Sequence, residues 1–208
     1  MPVRNDREYR RIPVGALETR DAEDGSMIVE GYASVFDHVY ELYRDDGYVL
    51  DECIDRHAFD DCDMSDVIMQ YDHEGRIFAR NKNKTLDVNP DNHGLHMRAH
   101  LEGTEIGRQL YQEIKGGYTD KMSFGFTVDK DERTVEEDHN TGTVTVHRRI
   151  TKIRKLYDVS AVSLPANDAT EISARSFGDG VIAEIKAERL AAQQRERTKA
   201  KIKLMTEV

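Results

Sequence analysis

"KMSFGF" (residues 121–126) reads as a strand with two unlike rows. Met122, Phe124 and Phe126 alternate on one side, and Lys121, Ser123 and Gly125 on the other, the period-2 pattern of a half-buried strand. The apolar row needs a core to face, so the flanking sequence decides the fold. Just upstream the period changes: in "GTEIGRQLYQEIKGG" (103–117) Ile106, Leu110 and Ile114 recur every four residues with Tyr111 on the flank. Thr104 supplies a cap and Gly116 and Gly117 a stop, which predicts a helix. Downstream, a charged turn "DHNTG" (138–142) leads into a long strand region, 143–164, that "PAND" (165–168) ends.

Working further out, "SMIVEGYASVF" (26–36) predicts a first strand. "YELYRDDGYVL" (40–50) holds an Asp-Gly turn signal in a loop or hairpin, and "DRHAFDDC" (55–62) resembles a short helical turn. "DVIMQYDH" (66–73) is a buried strand ending at a histidine. Residues 76–101 read as strands around the loop "NPDNHG" (89–94), whose Pro, Asp, Asn and Gly suit a hairpin. Many strands and few helices imply an α+β fold built on a mostly antiparallel β-barrel or sheet flanked by helices. Residues 1–25 are expected to be a flexible N-terminal arm, 26–176 the domain, and 177–208 a charged helical tail of high propensity.

Composition narrows the function. The 208 residues suffice for one domain with a real core, and a mean hydropathy of −0.70 makes that core economical. No apolar run approaches the roughly 20 residues that cross a bilayer, and "MPVRNDREYRRIPVG" lacks the apolar centre of a secretory signal; no membrane association is expected. The net charge is −10; residues 181–208 carry seven Lys/Arg against four Glu, which leaves −13 for residues 1–180. So acidic a body is no nucleic-acid groove, which needs clustered cations. Cys53 and Cys62, with His57 between them, fall short of a four-ligand zinc site and read as two reduced thiols. There is no His-Glu-x-x-His pattern and no phosphate loop, so neither metal nor cofactor is expected.

Ser123 would be decorative unless the chain supplies a base and an orienting group. Of eight histidines, His38, His93, His96, His100, His139 and His147 fall in loops or on polar strand faces, and His57 in an acidic turn. His73, after "VIMQY" and before "EGR", ends a core strand and is mounted as a base should be. In "KLYDVSAVSLPAN" (155–167), Asp158 sits among Leu156, Val159, Val162 and Leu164. A buried carboxylate needs a partner; the residues alone leave open whether that is a histidine or a neighbour such as Arg154 or Lys155.

"YDHEGRIFAR", "GLHMRAHLEGTEIGRQLYQEIKGGYTDKMSFGF" and "LYDVSAVSLPAN", in this order and spacing, resemble three landmarks of the HK97-type prohead serine proteases of tailed bacteriophages. Ordered likeness runs from about Ile28 to Ser173. The resemblance implies Ser123 as nucleophile, His73 as general base and Asp158 as the acid, at a place where the family generally carries Glu. "RHAF" (56–59) departs from the family's Gly-Ala-Phe by placing His57 at the glycine. The family is similar in fold to herpesvirus assemblins, a β-barrel wrapped by helices. That likeness implies an oxyanion hole from backbone N–H groups near Ala166 and Asn167, Pro165 having none to give. It further implies a serine endopeptidase of capsid maturation in the host cytoplasm, enclosed in the immature procapsid. Its substrates would be the scaffold protein, or the scaffold-like segment of the major capsid protein, and the protease itself; a homodimer follows by the same analogy. The alternative is an idle phage assembly module of the same fold, and an unrelated serine esterase lacks its Gly-x-Ser-x-Gly elbow.

Overall fold

The computed structural model describes residues 7–11, 17–21, 25–162 and 168–206. Among them, strands form two sheets. The larger runs β1 (Glu8–Arg11), β10 (Lys121–Asp138), β11 (Thr143–Val162), β5 (Tyr48–Ile54) and β4 (Tyr40–Asp45). Further along β11, β6 (Ile68–Tyr71) also pairs with it, and β7 (Glu74–Arg80) with β6. The smaller sheet is β2 (Glu18–Asp21), β3 (Met27–Val35), β9 (Gly94–His100) and β8 (Leu86–Pro90). Two helices complete the fold, α1 (Glu105–Lys115) and α2 (Asp168–Thr206).

The α+β class holds, and most pairings are antiparallel, but the two sheets do not close into the expected barrel. Among the described residues β2 and β8 edge the smaller sheet, and β1, β4 and β7 edge the larger. Alternation along a strand reports its buried face, not its neighbour, so sequence could not distinguish two packed sheets from one closed sheet. Nor does alternation reveal that β11 pairs twice in parallel, through Val144–Ile150 with β5 and through Asp158–Ala161 with β6.

The core lies between the sheets. Met122, Phe124 and Phe126 face inward from β10, meeting Val29 of β3, Leu95 and Met97 of β9, and Leu110, Tyr111 and Ile114 of α1. Phe124 stacks on Phe126 at 4.6 Å and tilts against Phe59 at 6.4 Å. Phe59 comes from residues 55–62, a run of hydrogen-bonded turns rather than a helical turn. His57, in the glycine's place, avoids the positive-φ region, so no glycine-only conformation is needed there. The Asp-Gly signal is a β4–β5 hairpin with Asp46 and Gly47 both at positive φ. In α1, Thr104 Oγ1 accepts from the Gly107 N–H at 3.0 Å, and Gly117 at φ 73° leads the chain away.

Two boundaries move. Residues 8–11 and 18–21 are strands where an unstructured arm was expected. The signal of the first was hidden because "EYRR" is short and charged, and Arg10 is buried by ion pairing rather than by apolar area. The terminal helix begins at Asp168 and runs without a break at 177. A second small core under it joins Val181 and Ile185 to Leu50 and Val146.

Candidate active site

Three neighbouring strands share the site. Ser123 on β10 lies directly opposite Ser160 on β11, and Gly125 opposite Asp158. On the far side of β11, Asp158 is level with Ile68 and Ser160 with Gln70 of β6. Directly opposed residues project to the same face of a sheet, so Ser123, Gly125, Asp158 and Ser160 form one polar patch on the side away from Phe124.

His73 reaches that patch from a tight turn. Tyr71 pairs with Glu74, and the two residues between them, Asp72 (φ 49°) and His73 (φ 61°), are both at positive φ. This is what a two-residue type I′ hairpin requires, and Asp and His tolerate that region better than most side chains. The turn thus lies on His73 itself rather than on the "EGR" that follows. The Asp72 N–H also donates to the Ala161 carbonyl at 2.9 Å, pinning the hairpin to β11.

The imidazole of His73 joins the other two groups. Its Nδ1 is 2.5 Å from Asp158 Oδ1 and its Nε2 is 2.6 Å from Ser123 Oγ. Ser160 Oγ donates to the same Asp158 oxygen at 2.8 Å. Among the described residues Asp158 Oδ2 is buried without a hydrogen bond, and Arg7 Nη1 lies 3.8 Å from it. Ser123 and Asp158 have no exposed surface and His73 keeps 9 %. Arg154 and Lys155, the other partners open to Asp158, go elsewhere: Lys155 Nζ to Asp63 Oδ2 at 2.7 Å, Arg154 Nε toward Asp129 at 3.8 Å.

Gly125 explains itself at this point. A Cβ there would lie 2.3 Å from Asp158 Oδ2 and 2.9 Å from the Tyr9 ring, so the carboxylate occupies the space a side chain would need. Sequence reasoning missed Gly125, Ser160 and the β1 residues. The first two carried a signal, since each lies two residues from a singled-out neighbour and therefore on its face. Ala166 and Asn167 lie outside the described residues. Cys53 and Cys62 are free thiols; burial pushes the Cys62 thiol up to about 11. Among the described residues no group of three or more His, Cys, Asp or Glu could hold a metal ion, and no helix is long and apolar enough to cross a membrane.

A hydroxyl, an imidazole and a carboxylate in one hydrogen-bonded line are the elements of a serine hydrolase. The family model of the caudovirus prohead serine proteases matches residues 15–181, most of the chain, and the protein belongs to that family. It is accordingly a serine peptidase of phage capsid maturation. Among solved structures, the capsid assembly protease of bacteriophage T4 is similar at 14 % identity and a TM-score of 0.41, over 77 % of this chain and 100 % of that one. No curated relative matches the chain.

Proposed function

We propose that Ser123 is the nucleophile, His73 the general base and Asp158 the group that orients it. The observation that carries this reading is the unbroken line from Ser123 Oγ through both ring nitrogens to Asp158 Oδ1. Ser123 attacks the scissile carbonyl while Nε2 takes its proton. Asp158, accepting from Nδ1–H, fixes the tautomer and steadies the imidazolium; His73 then protonates the leaving amine, and water resolves the acyl-enzyme by the reverse route. Ser160 holds the carboxylate in place. Backbone N–H groups near Ala166 and Asn167 are proposed to receive the oxyanion.

The substrates we propose are the scaffold protein, or the scaffold-like N-terminal segment of the major capsid protein, and the protease chain itself, all enclosed in the procapsid. Confinement raises effective concentration, so modest affinity suffices. A homodimer is part of the same proposal. Coexpression with the shell protein tests it: truncated shell protein is expected with the native chain and not with Ser123→Ala. Processing that persists with Ser123→Ala would overturn the assignment, and a Ser123 that no fluorophosphonate ever labels would favour an idle assembly module.

A further inference from the structure

A cavity of about 580 Å³ opens between β7 and α1, beside the site. Two of its lining residues, Asp72 and Glu74, flank His73 in the chain. β7 turns one face toward it. Side chains alternate along a strand, so Glu74, Arg76 and Phe78 line the cavity together while Ile77, between them, points away. α1 supplies the facing wall, where Ile106 and Leu110, and Gln109 and Glu113, repeat at the four-residue spacing of one helix face.

Floor and rim differ in character. Leu110 is buried and Tyr71, Phe78 and Ile106 are half-buried, which makes the floor apolar. Three carboxylates, Asp72, Glu74 and Glu113, stand against one cation, Arg76, so the lining carries two net negative charges. Glu74 and Glu113 are exposed and have no side-chain partner among the described residues. No ion pair of the fold employs them. An apolar floor below unpaired carboxylates suits a long aliphatic stem that ends in a cation, and Lys and Arg bury such stems while keeping the charge at a wet rim. An acidic side chain would meet like charges there.

We propose that this cavity is a specificity pocket that takes a Lys or Arg side chain of the protein substrate. The proposal rests on Ser123 being the nucleophile. The distance fits. β10, β11 and β6 are successive neighbours about 4.8 Å apart, which puts the turn at 72–73 about 10 Å from Ser123. An extended substrate advances about 3.3 Å per residue, so a side chain within about three residues of the scissile bond reaches the pocket. Glu113 stands on a capped helix and holds its place independently of the turn that carries His73. Neither Glu74 nor Glu113 touches the reacting atoms; both select the substrate.

The test maps every Ser123-dependent cut in the coexpressed shell protein and in the protease chain itself, by mass spectrometry of the new termini. One position, the same in each cut and close to the scissile bond, is expected to hold Lys or Arg. Glu113→Lys is expected to slow these cuts about tenfold, through like charges at a half-exposed site. Replacing the basic residue of the shell protein by Glu is expected to slow the native protease and to recover part of the rate with Glu113→Lys, a gain that a merely destabilised variant would not show. Cuts that share no basic position, a Glu113→Lys chain that cuts as fast as the native one, or a swap that recovers nothing would overturn the pocket and leave Ser123 standing. The absence of any Ser123-dependent cut would overturn the nucleophile, and the pocket with it.

Discussion

At Gly125 a single hydrogen atom decides whether the site can assemble. Gly125→Ala would drive a methyl into Asp158 Oδ2, and because β10 and β11 are fixed partners the carboxylate has to move. The expected cost is about 1–3 kcal/mol, as for overpacking elsewhere, with fluorophosphonate labelling lost as well; urea melts and labelling on the same sample check both. Loss of stability with full labelling would mean that Asp158 does not set the geometry. Asp158→Asn is expected to slow cleavage less than His73→Ala, because an orienting group is only one step removed from the proton transfer. Equal damage in a peptide assay would point to a structural role. At this scale much was legible: the three side chains singled out from sequence lie together. The positive φ at His73 was not legible, since a strand ending in Asp-His looks the same whether the turn falls on it or after it.

Among the elements, α1 was readable because cap, period and stop agreed. Its buried stripe is Gly107, Leu110, Tyr111 and Ile114, with Ile106 only partly covered. Gly107 lies so close to the Leu101 carbonyl that a Cβ would come within 2.3 Å of it. Thr104→Ala removes the one side-chain cap and is expected to cost about 1 kcal/mol, seen as a lower midpoint in chemical denaturation. β1 gave no such agreement. Arg10 and Glu8 are fixed by partners 42 and 140 positions away, and no local pattern can report them.

For the whole molecule, a charge cluster ties β1 to β4, β5 and β11. Glu52 is fully buried between Arg10 and Arg148 and also accepts from the Tyr40 hydroxyl at 2.6 Å. Burial by itself would raise its pKa; the two guanidiniums outweigh that and bring it from 4.5 to about 2. A carboxylate whose pKa is depressed by folding adds stability above its unfolded value and loses it as pH falls toward the folded one. The contribution is therefore complete above about pH 5, fades between about 4.5 and 2, and amounts to about 3 kcal/mol at most. Thermal melts across that window are expected to show the loss, and Glu52→Gln is expected to flatten it. Glu52→Ala removes the fully buried carboxylate between Arg10 and Arg148, leaving both to the partly exposed Glu8, and is expected to cost about 3–5 kcal/mol, measured by denaturant titration.

Among the described residues the last buried side chain along α2 is Ile185, yet the helix continues to Thr206. From Leu190 to Ile202, 13 residues, or about 20 Å at 1.5 Å per residue, are exposed. A helix so exposed spans distance instead of burying area, so a partner bound at its far end would be held that far from Ile185, where α2 last packs on the body.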